Sequence, residues 1–227
     1  MPSVIGIALF GSRARGDHSE SSDVDLLLWT SDGPPQHFKQ GTFSLSIYPQ
    51  PELLERAAAG DLFASHLAHE AVAIWDPRGL LGQLRAAFRA KPSYDDIIKN
   101  AEDLGYYLIL NTTLIEPSLL NRRIAWVVRT ILIARMIERS RLTFAPAELL
   151  QGLGAHEVSP LLAAKDDGEF DQERLDLFGN FLTRWGVRGH PPRVASDYEE
   201  LFRTTGNSFG LKTMLSAAEA TWSGLYA

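Results

Sequence analysis

The chain has no cysteine. That absence removes a disulfide framework, a thiolate zinc site and a cysteine nucleophile together, and it fits a reducing compartment. Long apolar runs are also missing. No stretch approaches the roughly 20 residues that a spanning helix needs. The first apolar run, Val4 to Phe10, is only seven residues long and has no basic flank, so it does not read as a secretory leader. A cytoplasmic protein that does not engage a membrane is the expectation. Positive charge is scarce as well. The net charge is −6 over 227 residues, with 7 Lys+Arg against 10 Asp+Glu in residues 1–90 and 15 against 18 in the remainder. Phosphate neutralisation supplies most of the affinity for a nucleic-acid backbone, so a polymerase-like grip on a long duplex is disfavoured. What is present is ordinary for a folded globular chain: 45% apolar and 22% charged residues, enough for one large core or two small ones.

The pattern changes character along the chain. Val4 to Phe10 (VIGIALF) is a continuous apolar run stopping at Gly11, as a buried strand would. Residues 11–22 are small, polar and glycine-punctuated, and read as a turn. Asp23 to Trp29 (DVDLLLW) reads as a second strand. Residues 30–41 read as a loop, marked by Gly33-Pro34-Pro35 and closed by Gly41. Thr42 to Tyr48 (TFSLSIY) alternates strictly, with Phe43, Leu45 and Ile47 on one face and Ser44, Ser46 and Tyr48 on the other. It predicts a third strand, paired as an antiparallel hairpin with the second. Pro51 to Ala59 reads as a helix stopped by Gly60, Asp61 as the cap of another helix to about Glu70, Ala71 to Trp75 as a fourth strand, and Leu80 to Ala90 as a short helix. After Lys91-Pro92-Ser93 the period becomes helical. Ile97, Ala101, Leu104 and Leu108 make one stripe, residues 119–140 are apolar on more than one side, and further helices are expected near 171–185 and 210–225. The expectation is therefore an α+β chain: a small mixed sheet with helices over residues 1–91, then an all-α bundle over 92–227.

The chemistry is concentrated in Leu9-Phe10-Gly11-Ser12-Arg13-Ala14-Arg15-Gly16 and Ser22-Asp23-Val24-Asp25-Leu26-Leu27-Leu28. A glycine and a serine just after a buried strand let amide groups and a hydroxyl approach a bulky anion. Asp23 and Asp25 are two apart on a strand, so their carboxylates share a face. Like charges held so close repel, and a divalent cation is the usual reason for keeping them. A solvated strand start and an ordinary turn would not account for this spacing or for the buried flanks.

The arrangement resembles the signature of the polymerase-β-type nucleotidyltransferase superfamily, and the form GSRARG…SDVDLLL looks most like its minimal and kanamycin-nucleotidyltransferase-like members. The motif covers residues 4–28, and a similar layout extends it to about residue 90. The resemblance implies transfer of a nucleoside monophosphate, with ATP the expected donor and pyrophosphate leaving. Asp23 and Asp25 would be the catalytic metal pair for magnesium, and Gly11 and Ser12 would hold phosphates. Arg13 and Arg15 either add charge to the triphosphate or pair at the surface. Residues 1–91 would be the nucleotidyltransferase domain and 92–227 a helical domain for the acceptor or a partner. The acceptor is open: a small hydroxylated molecule, a protein or an RNA. Related enzymes often complete their cleft with a second subunit, so the resemblance leaves a homodimer open.

One part of the family pattern is missing. Members usually carry a third carboxylate on the strand beside the Asp-x-Asp strand, but TFSLSIY has none; Ser46 is the expected degenerate equivalent. A serine is a poor magnesium ligand and no general base near neutral pH. Either the helical half supplies a base (Asp95, Asp96, Glu102 or Asp103, which otherwise read as the acidic start of a helix), or the chain is a degenerate nucleotide- or partner-binding module. Three further groupings stand out. His66 and Glu70, with His69 nearby, are either a metal site or, lacking a third ligand, a hydrogen-bonded helix pair, the preferred reading. Arg129, one heptad from Arg122, reads as a packed stem with a snorkelling head rather than a phosphate ligand. Arg184 and His190 match the spacing of an RNase signature found in helical partners of minimal nucleotidyltransferases, but Gly186, Gly189, Pro191 and Pro192 mark a helix end, so the match reads as chance.

Overall fold

Seven consecutive small or apolar residues are best hidden by strands on both sides, and Val4–Phe10 (β1) is placed accordingly. In the computed structural model, which describes residues 3–20, 22–188 and 197–224, β1 pairs antiparallel with Val24–Thr30 (β2) on one side and Val72–Trp75 (β5) on the other. Two further strands, Gln36–Gln40 (β3) and Phe43–Pro49 (β4), extend the sheet beyond β2 in the order β3-β4-β2-β1-β5. A single turn, Ser12–Arg15 (α1), follows β1. Gln50–Ala58 (α2), Leu62–Glu70 (α3) and Leu80–Ala87 (α4) supply the helices. Asp61 caps α3 through Ala64 N–H at 2.9 Å, as expected, and Asp76 accepts from Leu80 and Leu81 at the start of α4. Ile5, Ala8, Phe10, Leu27, Trp29, Leu53, Ala57, Leu67 and Leu84 form the buried core. Each fully buried leucine among them is worth roughly 1.5–3 kcal/mol.

The structure corrects the sequence reading of this sheet in two ways. Residues 30–41 are not all loop, and the 42–48 strand is not the antiparallel partner of the second. The chain leaves β2, skips one strand position, runs back along the edge as β3, and turns at Gly41 (φ 59°) into β4. Strand β4 thus lies parallel to β2, with Asp25 opposite Ser44, Leu27 opposite Ser46 and Trp29 opposite Tyr48. β3 is exposed along its whole length and carries no apolar alternation to reveal it. The facing of β4 follows from the position of the core. Ser44 and Ser46 are the buried side of β4, at 6% and 5% exposure, because they share the face of Phe10, Leu27 and Trp29, where the core lies. Phe43 is 52% exposed, and with Phe38, Val72 and Trp75 it lies on the opposite, open face.

The second compact unit is helical: Asp95–Leu110 (α5), Pro117–Glu138 (α6), Pro146–Leu153 (α7), Ser159–Ala163 (α8), Gln172–Trp185 (α9), Asp197–Thr204 (α10) and Ser208–Gly224 (α11). α6 is its centre. It buries Ile124, Val127, Val128, Ile131, Leu132 and Met136 on several sides, and Glu116 caps it by accepting from Ser118 and Leu119 N–H. Arg122 on α6 is exposed and Arg129 half-buried. By compactness the chain divides into Met1–Pro92 with Arg141–Ala145, and Ser93–Ser140 with Pro146–Ala227. Among the described residues no strand lies beyond Trp75, so the α+β expectation stands, and no helix is long and apolar enough to cross a membrane.

Candidate active site

The end of β1 is built around one backbone angle. Phe10 is directly opposite Asp25, and the next residue, Gly11, adopts φ 77°. The conformation favours glycine, and a Cβ there would stand 2.6 Å from Asp25 Oδ2, so any other residue would push that carboxylate aside. The chain then makes the single turn of α1 and leaves it at Gly16, φ 84°. Within so short a turn the first amides, Ser12 and Arg13, have no intrahelical acceptor. The Ser12 hydroxyl has no hydrogen-bond partner among the described residues. Gly11, Ser12 and Asp25, three of the residues singled out in the sequence, therefore meet at one end of the sheet.

Asp25 is half-buried, and its carboxylate has neither hydrogen bond nor ion pair among the described residues. Asp23, just before β2, is held by Lys39 of β3: Nζ lies 2.7 Å from Oδ2. The register sets out two rows across this face. Lys39, Ser44, Asp25 and Phe10 form one, and His37, Ser46, Leu27 and Ala8 the next. Ser44 thus lies directly beside Asp25, whereas Ser46 is one pleat further on, with His37 Nδ1 3.4 Å from its Oγ. His37 and Lys39 were missed in the sequence because the segment that holds them read as loop. One apolar residue, Phe38, in an otherwise polar segment left no strand pattern to find them by.

The two arginines of the motif are turned into the protein. Arg13 donates twice to the Ser22 carbonyl, at 3.0 and 3.3 Å, tying down the loop just before Asp23. Arg15 donates to Asp17 and, at 2.7 Å, to Glu70 Oε2 on α3. His66 Nε2 lies 2.6 Å from that same oxygen, and the His66 ring stacks on Phe144 at 4.5 Å. His66 and Glu70 thus stand together as an i,i+4 pair on α3, with Arg15 bonded to the same Glu70 oxygen. His69 turns to the Ser65 carbonyl instead, and burial holds its imidazole below the usual pKa. Among the described residues no cluster of three or more His, Cys, Asp or Glu could hold a metal.

The acids of the second unit answer differently from the sequence reading. Asp95 and Asp96 do stand in the first turn of α5, and Asp95 lies 3.7 Å from Arg135. Glu102 and Asp103 are not part of an acidic helix start. They lie in the middle of α5, fully buried. Just beyond α9 the chain leaves the helix, and there Glu102 Oε2 accepts from the Val187 and Arg188 N–H, both at 2.9 Å. Asp103 takes the Arg188 guanidinium at 2.7 and 2.9 Å, and burial still pushes its carboxyl up to about 6. Arg184 pairs with Glu157 at 2.7 Å. His190, its partner in the matched spacing, lies outside the described residues.

Chemically, the end of the sheet offers two nearby acids, Asp25 without a protein partner among the described residues, next to a glycine turn whose first amides have no intrahelical acceptor. That set fits magnesium, which usually takes one or two protein carboxylates and completes its shell with phosphate oxygens and water.

A family model described as "Nucleotidyltransferase domain" matches residues 1–132, more than half of the chain. No curated protein matches. Among solved structures, a nucleotidyltransferase-like protein from Exiguobacterium sibiricum is similar, at 18% identity over 81% of this chain and 69% of that one, with a TM-score of 0.37.

Proposed function

Because the chain belongs to the nucleotidyltransferase-domain family, we propose that it transfers a nucleoside monophosphate, AMP from ATP, to a hydroxyl or phosphate acceptor. The observation that carries this reading is the fit of Gly11 against Asp25. A left-handed glycine turn packs against a carboxylate that has no protein partner among the described residues, and Ser12 follows it directly in the chain. In this reading the Ser12 hydroxyl and the first-turn amides of α1 hold the β- and γ-phosphates. Asp23 and Asp25 hold magnesium, which neutralises charge on the phosphates when bound. Arg13 and Arg15, already bonded within the protein, serve the nucleotide by fixing the loop rather than by touching it. The acceptor oxygen attacks the α-phosphorus as the bond to pyrophosphate breaks. Residues 1–91 carry this chemistry, and 92–227 bind the acceptor or a partner. An even acidic charge favours a cationic small molecule over RNA.

A second reading, a nucleotide-binding module without turnover, is favoured by one feature: β4 has only serines where a third acid would stand, and Lys39 occupies Asp23. Radiolabelled ATP decides between them. Magnesium-dependent binding and pyrophosphate release, both lost in Asp23→Asn/Asp25→Asn, are expected of the enzyme. Tight binding with no release across an acceptor panel would favour the module, and no binding at all would sink both.

A further inference from the structure

Transfer to a hydroxyl requires a group that takes up its proton. The strand beside Asp25 offers only Ser44, Ser46 and Tyr48 on that face, and a neutral hydroxyl is no base near neutral pH. The next strand outward does carry one. His37 of β3 is opposite Ser46 in the register, on the face that holds Asp25, and its Nδ1 contacts Ser46 Oγ at 3.4 Å. Resting on the transfer reading above, we propose that His37 is the general base of this site, supplied from β3 because β4 lacks an acid.

Three features support this. Strands lie about 4.8 Å apart and rise about 3.3 Å per residue, which puts His37 about 12 Å from Asp25 between Cα atoms. Once the two side chains are counted, that span leaves room for an α-phosphoryl group and an attacking oxygen. The Ser46 contact also fixes the ring. With Nδ1–H donating to Ser46 Oγ, the Nε2 lone pair is free to accept. This gives the buried Ser46 a use as a positioning residue. Finally, His37 is exposed, so a proton taken there can pass on to solvent. The charged and titratable groups on this face include Lys39 of β3, Asp23 and Asp25 on the β2 side, Arg56 of α2 turned to Tyr48 and Asp61, and His66 of α3, which packs on Phe10 and meets Glu70 and Arg15. In the step itself, the acceptor oxygen forms its bond to the α-phosphorus, the bond to the bridging oxygen of pyrophosphate breaks, and that oxygen leaves with the electron pair. The hydroxyl proton goes to His37 Nε2.

The test compares wild type with His37→Gln and His37→Glu, with magnesium and the α,β-methylene analogue of ATP as the non-reacting probe. The His37 imidazole C–H resonance, identified by its loss in the Gln variant, is expected to shift when the analogue binds. His37→Gln is expected to bind the analogue within about twofold of wild type, yet release pyrophosphate about 100-fold more slowly, a usual size for losing a general base. It should also lose the acidic limb of the pH–rate profile. His37→Glu is expected to restore part of the rate with that limb moved to lower pH, as a carboxylate base would. An unmoved resonance with the analogue bound, or an unchanged rate and pH profile in His37→Gln, would overturn the assignment and leave the transfer reading intact. Failure of wild type to bind the analogue would remove the transfer reading and His37's role with it.

Discussion

Two of the close-set carboxylate pairs in this chain contrast sharply, Asp23 with Asp25 at the end of the sheet and Glu102 with Asp103 in the middle of α5. The second pair is fully buried and held by partners across the fold. Two backbone amides and a bidentate arginine meet it within 2.7–2.9 Å. The first pair is only half-buried. Asp23 has one exposed lysine, and Asp25 has nothing among the described residues. The protein thus neutralises carboxylates deep in its interior and leaves bare those that solvent and a ligand can reach. A buried acid without partners would cost several kcal/mol, so the interior pair has to be satisfied by the fold. A half-exposed acid can wait for a cation from solution.

The largest expected effect comes from breaking the interior pair. Glu102→Ala leaves the Val187 and Arg188 amides without their acceptor and opens a void in α5, a loss of about 4 kcal/mol by the usual cost of unsatisfied buried groups. A denaturant titration is expected to show the drop, while magnesium-dependent ATP binding measured well below the midpoint stays near wild type. Asp25→Ala should do the reverse, abolishing binding with no loss of midpoint. If both variants lowered stability alike, the contrast between the pairs would collapse.

Why one pair was legible in the sequence and the other was not follows from the same contrast. Asp23 and Asp25 sit in a local pattern, strand, glycine, serine, strand, whose geometry is set by neighbours within about twenty residues, so their shared face could be read directly. The partners of Glu102 and Asp103 are some 85 residues away, at the end of α9. No local period announces a contact of that kind, and two acids in the middle of a helix look like a solvated face. The sheet shows the same division. The strict alternation of TFSLSIY identified a strand, but which side was buried depended on a parallel partner and on helices elsewhere in the chain. The edge strand β3 had no alternation at all, and with it went His37 and Lys39.

A smaller effect separates charge from hydrogen bonding inside the interior pair. Asp103 loses its proton near 3.8 in an unfolded chain and near 6 in the fold, first because burial penalises its charge, with Glu102 adding to the rise and Arg188 opposing it. Between those two values the folded protein binds the extra proton. This group therefore adds stability as pH falls from 7 towards 4, and that stability is lost as pH rises through about 6. The span is at most about 3 kcal/mol. The stability of wild type minus that of Asp103→Asn, followed by denaturant titration from pH 7.5 to 4, is expected to rise towards acid. A flat difference would mean that Arg188 holds Asp103 charged throughout.

The smallest effect tests the bare pair. Lys39 is 56% exposed and Asp23 33%, and pairs near the surface contribute about 0–1 kcal/mol, so Lys39→Met should barely move the denaturation midpoint. Its effect should appear instead in cation binding. The ammonium sits where a cation approaching Asp23 must come, and removing it is expected to tighten manganese binding in the absence of nucleotide by about threefold, the scale of a screened surface charge. With ATP present the sign should reverse. A lysine displaced from Asp23 is free to meet the triphosphate, and its loss should then weaken the ternary complex by a similar factor. Weaker manganese binding in the variant without nucleotide would show that Lys39 does not compete for Asp23 but orients it, and that Asp23 is no more available than the interior acids.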